Sequence, residues 1–163
     1  MRKLFIPLLS LVMLLGACRT LQHRSAKGLD IVKLLISDHV PTEYQDYTEI
    51  RGSLDYGTRF VVYMEFQGMD VREDAGVRYI WIIIEGELIG PQGSVLSEGE
   101  MINYNGPLQP DKDTNEMYFY QGLVIPKGIE PGTYTIIITV RDLYADASAT
   151  KSVTFNVKAT KEC

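Results

Sequence analysis

The sequence predicts an all-β protein, a single sandwich domain of about seven or eight strands. Runs rich in β-forming residues alternate with turn clusters at intervals of roughly ten residues, which is typical of a sandwich or a barrel. Apolar and polar residues alternate within several of these runs, as expected for strands with one buried face. A chain of 163 residues, 45% of them apolar, is long enough to bury a core without a metal or a disulfide.

Glycine and proline mark the ends of the expected strands. Pairs such as Gly90-Pro91 and Pro131-Gly132 supply the fixed or positive φ angles that turns require. No run in the body of the chain has a convincing helical pattern. The eight expected strands cover residues 29–36, 44–51, 59–67, 77–88, 100–104, 117–125, 133–142 and 148–158.

The alternation is clearest in three of these strands. Residues 80–84, in a fourth strand, are apolar on both faces, which indicates a central strand with a loop, an edge element or a partner over its second face. The side chains expected to face the core in the three alternating strands are Phe60, Val62, Met64 and Phe66, then Tyr134, Ile136, Ile138 and Val140, and finally Val153, Phe155 and Val157.

Residues 132–136, Gly-Thr-Tyr-Thr-Ile, resemble the G-x-Y-x-C run of immunoglobulin-like domains. Trp81 precedes Ile136 by 55 residues and follows Met64 by 17, which is similar to the Cys-Trp-Cys layout of that fold with both cysteines replaced. The resemblance implies a bacterial immunoglobulin-like or fibronectin-like sandwich without the disulfide, in which Tyr134 forms a tyrosine corner. A lipocalin-like barrel is the alternative architecture, although the bulky inward side chains would fill its interior.

The first eighteen residues predict a targeting segment. Arg2 and Lys3 precede an apolar run, residues 4–15, that is too short to cross a bilayer of about 30 Å as a helix. Residues 15–18, Leu-Gly-Ala-Cys, resemble the lipobox of bacterial lipoproteins, which implies cleavage before Cys18 and acylation of its thiol. The alternative is an ordinary secretory signal, with Cys18 a free thiol.

These boundaries divide the chain into four parts. We expect a lipoprotein signal peptide over 1–17, the lipidated cysteine and a polar tether over 18–28, the sandwich over 29–158 and a flexible tail over 159–163. If Cys18 is acylated, Cys163 has no intramolecular partner, and both an intermolecular disulfide and a free thiol stay open.

The charge and the signal bear on location and partners. Loss of residues 1–17 removes two basic residues and no acid, so the net charge changes from −5 to −7. An acidic domain without basic clusters is not expected to bind nucleic acid. In lipoproteins an Asp after the cysteine directs retention in the inner membrane, so the resemblance implies that Arg19 favours the outer membrane.

No set of residues forms a catalytic motif, so we expect a protein that is not an enzyme. His39 is the only histidine in the sandwich, and no G-x-S-x-G elbow accompanies it. Glu85 and Glu87 share one strand face about 7 Å apart, which suits a glycosidase pair only if a cleft lies between them.

Residues 111–115 raise the question of calcium. Asp111, Asp113 and Asn115 match the start of an EF-hand loop, but Glu116 replaces the glycine of the sharp turn and Gly122 stands in place of the bidentate acid. A polar hairpin loop is the plainer interpretation. We therefore predict no metal and no cofactor, and calcium binding by this loop stays an open question.

The chain contains ten tyrosines, and two of them are the candidate contact residues. Tyr118 and Tyr120 share a strand face beside the loop 107–115, where exposed rings can stack on sugars or anchor a protein, and buried rings are ordinary strand formers. The expected function is a lipid-anchored binding or assembly module that contacts a protein partner in the cell envelope. The alternative is a glycan-binding or adhesion module that uses this tyrosine face.

Overall fold

The computed structural model describes residues 28–158, and these form nine β-strands and no helix. The all-β prediction is therefore confirmed. The strands are β1 (Asp30–Ser37), β2 (Ser53–Leu54), β3 (Arg59–Gln67), β4 (Arg72–Asp74), β5 (Val77–Ile89), β6 (Val95–Pro107), β7 (Met117–Val124), β8 (Gly132–Asp142) and β9 (Ala147–Val157).

The strands form two sheets. Sheet A has the order β1-β3-β7 and is antiparallel throughout. Sheet B has the order β2-β9-β8-β5, and both β4 and β6 pair with β5. Strand β2 is parallel to β9, whereas the other neighbours in sheet B are antiparallel.

This order is that of an immunoglobulin-like sandwich. Strands β1, β3 and β7 take the places of strands A, B and E, while β5, β8 and β9 take those of C, F and G. Strand β6 extends the second sheet beside β5, as the additional strands of variable-type domains do. No strand within residues 28–158 occupies the place of strand D, the fourth strand of the first sheet. The immunoglobulin-like prediction is confirmed, and the barrel alternative is wrong.

The core lies between the inner faces of the sheets. Val62 and Met64 of β3, Ile82 and Ile84 of β5, and Ile138 of β8 are completely buried. Burial of such side chains stabilises each sheet against the other, by about 1.5–3 kcal/mol per residue relative to exposure.

The predicted tyrosine corner is present. Tyr134 is buried, and its hydroxyl donates a hydrogen bond of 2.6 Å to the backbone carbonyl of Glu130, four residues upstream. Its ring stacks on Phe155, which in turn packs on Phe60 of the opposite sheet with ring centroids 5.2 Å apart. This corner therefore joins the turn before β8 to the core.

The sandwich is tied together on one side. The Lys151 ammonium in β9 donates hydrogen bonds of 2.9 and 3.2 Å to the carbonyls of Ile31 and Val32. These two residues lie at the bulge of strand β1, where the register with β3 shifts between Ile31 and Lys33. On the opposite side β6 and β7 do not pair, so the sandwich is open there.

Two sequence expectations are corrected. Trp81 does not take the place of the buried tryptophan of antibody domains, because Ile80 and Ile82 are the inward residues of β5 and Trp81 lies on the outer face, edge-on to Tyr144. Residues 44–51 form a loop instead of a strand, with one isolated bridge between Ser37 and Glu49. The short strands β2 and β4 were not predicted. Strand β6 begins five residues earlier than expected.

Replacement of Tyr134 by phenylalanine tests the tyrosine corner. We expect Tyr134→Phe to lower the free energy of unfolding by about 1 kcal/mol, because the Glu130 carbonyl loses its donor. Urea denaturation measures this change. The exposed Tyr120→Phe is the matched control and should change stability by less than about 0.5 kcal/mol. Equal effects of the two substitutions would contradict the assignment.

Candidate binding site

The two candidate tyrosines lie side by side on the outer face of sheet A, but their environments differ. Tyr120 is 43% exposed. Tyr118 is half-buried, because its ring stacks on Tyr63 at a centroid distance of 5.9 Å and the Lys112 ammonium lies 5.3 Å from its centre. The pair therefore offers one accessible ring, that of Tyr120, whereas the Tyr118 ring is held by its neighbours.

Sequence alternation did not reveal that the outer face of β3 is also buried. Tyr63 and Glu65 are 0% and 2% exposed, since residues 38–50 cover them. The Tyr63 hydroxyl donates to Glu65 Oε1 at 3.0 Å and accepts a hydrogen bond from the backbone N–H of Gln45 at 2.9 Å. Burial is the main cause that raises the pKa of Tyr63 well above its usual value of 10. The phenol is therefore a structural hydrogen-bonding group in this site.

His39 contacts two carboxylates of this covering loop, Asp38 and Asp46, and we call these three residues the His39 clamp. Its Nδ1 lies 2.7 Å from Asp38 and its Nε2 lies 3.0 Å from Asp46, so both ring nitrogens face carboxylates. Asp46 also accepts hydrogen bonds from the backbone and the hydroxyl of Thr42. The hydrogen bonds to Asp38 and Asp46 raise the pKa of His39, and those from Thr42 and His39 lower the pKa of Asp46 to about 2. With both nitrogens engaged, His39 is not placed to serve as the base of a triad.

Glu85 and Glu87 share one face of β5, as predicted, and this is the outer face of sheet B. They share one wall of an open depression of about 460 Å³ and do not face each other across a cleft. Glu85 is also paired with Arg141, at 2.9 Å. This is not the geometry of a glycosidase pair, whose carboxyl groups flank the bond to be cleaved.

The loop at 111–115 turns on itself. Asp113 Oδ1 accepts hydrogen bonds from the backbone N–H and the side-chain amide of Asn115, at 2.8 and 3.0 Å. Asp111 and Asn115 are exposed. Across residues 28–158 no three His, Cys, Asp or Glu side chains are grouped so that they could hold a metal ion.

A concave surface lies on the open side, between β6 and β7, and sequence reasoning missed it. We call it the β6–β7 groove. It consists of a pocket of about 430 Å³ beside Gln121 and a second of about 330 Å³ beside Tyr118. The apolar residues that line the groove are Val62, Leu88, Met101, Leu123 and Ile136 in the first pocket, and Ile80, Leu108, Met117 and Phe119 in the second.

A glycine shapes the wall of the larger pocket. A Cβ at Gly86 would collide with the sulfur of Met101, so the absence of a side chain lets Met101 lie across β5. The bulge between Ile84 and Glu85 places Met101 in the position of the extra residue of β6.

The outer face of sheet B is acidic where β5 pairs with β6. Glu87 lies directly opposite Glu98, and Glu85 lies directly opposite Glu100. Side chains in such positions are about 5 Å apart at Cβ, and like charges there are destabilising. Only Glu85 of the four is paired with a cation among the described residues. A cationic partner would relieve this repulsion.

Three predicted features lie outside the described residues. Cys18, with the expected lipid attachment, precedes residue 28, as does the whole signal segment. Cys163 follows residue 158.

Comparisons with known proteins give no family. No protein-family model matches the chain, and no curated protein matches it. An alkylpurine DNA glycosylase of Pseudomonas fluorescens is 9% identical over 80% of this chain and 30% of its own, with a TM-score of 0.48. A Bacteroides uniformis β-glucuronidase is 10% identical over 80% of this chain and 14% of its own, also with a TM-score of 0.48.

One similar structure has a length close to that of this chain. An immunoglobulin-like protein of Pseudomonas aeruginosa is 11% identical over 82% of this chain and 99% of its own, with a TM-score of 0.38. Because this score and the two above are below 0.5, these likenesses carry no conclusion about activity or ligand.

The His39 clamp predicts a pH dependence of the covering loop. The pKa of His39 is raised in the folded protein. Protonated His39 therefore stabilises the covering loop fully below about pH 6.5, and this stabilisation is lost as the pH rises through the pKa of the folded state. The pKa of Asp46 is lowered to about 2. Ionised Asp46 therefore stabilises the loop fully above about pH 3.8, and this stabilisation is lost as the pH falls toward about 2. We expect the amide protection factor of Gln45 to be highest between these limits.

Hydrogen exchange followed by NMR across the pH range measures this protection. In the variant His39→Gln, the protection of the Gln45 amide should no longer decline as the pH rises. The decline toward acid pH should persist, because Asp46 is still present. A His39 imidazole that titrates at or below 6.5 in the folded protein would show that the clamp is wrong.

Proposed function

We propose that this chain is a lipid-anchored, non-catalytic binding module of the bacterial cell envelope, and that it contacts a protein partner through the β6–β7 groove. The observation that carries the proposal is the groove itself, two pockets with apolar walls beside two sheet edges that have no neighbouring strand in residues 28–158. Grooves with apolar walls and a polar rim are typical interaction sites.

The arrangement of the candidate catalytic groups in the described residues supports a binding role rather than catalysis. His39 is engaged at both nitrogens, and the carboxylates of Glu85 and Glu87 occupy the same wall of a depression. Neither arrangement brings a nucleophile, a base and an oxyanion site together.

Membrane attachment is proposed through Cys18. Within residues 28–158 there is no helix that is both long enough and apolar enough to span a bilayer. Acyl chains on Cys18 would contribute about 0.8 kcal/mol per buried methylene, and two or more chains suffice for stable anchoring. Arg19 at the next position supports the outer membrane as the location.

Glycan binding is a second candidate, favoured by the exposure of Tyr120. Its accessible ring lies beside Tyr118 on a sheet face, and Lys112 adds a hydrogen-bond donor near the ring of Tyr118. A sugar can stack on such a ring with its hydroxyls toward the polar neighbours.

The lipid anchor is tested with Cys18→Ser. We expect the variant to leave the membrane fraction and to lack the added mass of the acyl chains, because serine does not provide the thiol. Fractionation and mass spectrometry of the mature protein measure both. Unchanged mass and unchanged membrane association would reject the anchor and leave the binding proposal to its own test.

The binding surface is tested by photocrosslinking in intact cells. A photoreactive residue in place of Gln121, in the groove, should give a reproducible adduct with one envelope protein. The same residue in place of Thr154, exposed on the outer face of sheet B, is the matched control and should not. If the two positions give the same adducts, or neither gives any, the proposed binding through this groove is wrong.

If the protein binds a glycan, substitution of Tyr120 should weaken that binding, and substitution of a neighbouring exposed residue should not. We expect Tyr120→Ala to weaken retention on a glycan that the parent protein binds by roughly tenfold, because the accessible stacking ring is removed. Val124→Ala, at an exposed residue on the same face of β7, is the control and should leave retention unchanged. Affinity electrophoresis on cell-wall polysaccharides measures this. No retention of the parent protein on any glycan would remove this candidate.

A further inference from the structure

We propose that two copies of this chain associate through the free edges of their β6 strands, as an antiparallel pair in which carboxylates of one copy lie opposite amides of the other. The two strands are related by a two-fold axis, and they join the two B sheets into one continuous sheet. The inference goes beyond the proposed function, since it concerns a second surface and does not depend on what occupies the groove.

Strand β6 is a long edge strand that pairs on one side only. Its 13 residues pair with β5, and among the described residues no strand pairs with its other side. None of the 13 is buried, and Val95 and Leu96 are 50% and 53% exposed. Proteins commonly protect such an edge with lysine or with proline. Strand β6 has no lysine, its proline is the last residue, Pro107, and its charged residues are Glu98 and Glu100.

Hydrogen bonds of β5 show which residues of β6 face the free edge. The N–H of Leu108 donates to the carbonyl of Arg78 at 2.7 Å, whereas the N–H of Leu143, which follows β8, donates to the carbonyl of Trp81 at 2.9 Å. In an antiparallel strand the backbone groups of alternate residues point to opposite neighbours. Even-numbered residues of β5 therefore bond to β6, and the β6 residues opposite odd-numbered ones direct their N–H and C=O away from β5. In the middle of β6 these residues are Glu98, Glu100, Asn103 and Asn105.

These four residues are complementary to themselves when the strand is reversed. If Glu98 of one copy lies opposite Asn105 of the other, Glu100 lies opposite Asn103, and the two-fold axis repeats both pairs. Each pair joins residues whose backbone groups face the free edge, so each exchanges two ladder hydrogen bonds. The bulge makes this register possible, because the extra residue Met101 brings Glu100 and Asn103 to the same side of the strand. Both copies carry the bulge, so the two strands stay in register through it.

Charge on the outer face of sheet B selects this register. Within one chain Glu98 and Glu100 already lie opposite Glu87 and Glu85. A register that placed glutamate opposite glutamate between copies would add like charges on the second side as well. An amide opposite each carboxylate donates a hydrogen bond instead. The amide of Asn103 donates to Glu100 of its own chain at 3.3 Å and has a second N–H for Glu100 of the other copy.

The contact is one strand wide, so we expect weak association. A standard interface buries about 800 Å² per partner, and a single pair of edge strands buries less. Apolar contact is added at the two ends of the pair, where the same register places the exposed Leu96 opposite Pro107. A covalent trap is therefore the suitable measurement.

Photocrosslinking in intact cells tests both the pair and its register. With two differently tagged copies of the full chain, a photoreactive residue in place of Glu98 should give an adduct that contains both tags. Mass spectrometry should locate the second attachment at residues 104–106. The same residue in place of Asn105 should label residues 97–99. Ser152, exposed on β9 of the same sheet face, is the matched control position and should give no adduct of two copies.

A lysine opposite a glutamate should strengthen the pair. With the photoreactive residue at Glu98, Asn103→Lys places a lysine opposite Glu100 of the other copy, twice by symmetry. We expect the yield of the adduct to rise by about threefold. Ser152→Lys makes the same change of net charge on β9 and should leave the yield near that of the parent.

A proline tests the backbone ladder. Asn103→Pro removes an N–H that faces the free edge, which an edge strand tolerates, and the yield should fall by about tenfold. Tyr120→Pro makes the same kind of change in β7, which also has an unpaired side among the described residues, and should leave the yield unchanged. Resistance to proteolysis checks that both variants are folded.

Three results would overturn the inference. Attachment outside residues 97–99 and 104–106 rejects the register, and equal effects of the two lysine variants reject the pairing of residue 103 with Glu100. An adduct with a different protein alone, or no adduct at either position, shows that a second copy does not occupy this edge. The groove has its own test at Gln121, so each proposal can fail without the other.

Discussion

The unequal width of the two sheets is the constraint from which the other features of this sandwich follow. Strands in a sheet lie about 4.8 Å apart, so the three strands of sheet A cannot cover β9, β8, β5 and β6 together. The chain closes the side where β1 meets β9, with Lys151 joined to two carbonyls of the β1 bulge. The uncovered width is therefore concentrated at β6, and it produces the groove.

The narrow sheet also needs cover on its outer face. Strand β3 is central in sheet A and is buried on both faces, and residues 38–50 supply the outer cover. A polar side chain can be buried there only with hydrogen-bond partners, and Tyr63 and Glu65 bond to each other beneath the loop. His39 joins Asp38 to Asp46 within that loop, so these three titratable side chains serve its structure.

Prediction from sequence was accurate where a local rule acts alone. The two-residue alternation placed β3 and β8 correctly and identified their inward residues, and the resemblance of residues 132–136 to immunoglobulin-like domains predicted the tyrosine corner. It was wrong for Trp81, because spacing along the chain does not specify the face of the strand, which the register of β5 decides. It was also wrong for residues 44–51, whose apolar and aromatic residues pack onto a sheet instead of entering one.

The sequence by itself determined the all-β class and the charge, because alternation, turn residues and composition are local properties, and the resemblance of residues 132–136 to immunoglobulin-like domains indicated the type of sandwich. It also carries the lipobox-like run at Cys18, which lies outside the described residues. Only the tertiary structure decided the candidate binding site. The groove is built from β3, β5, β6, β7 and β8, strands distant in the chain, and the opposed glutamates depend on the pairing register. Contacts of that kind follow from how sheets meet, and no single segment encodes them.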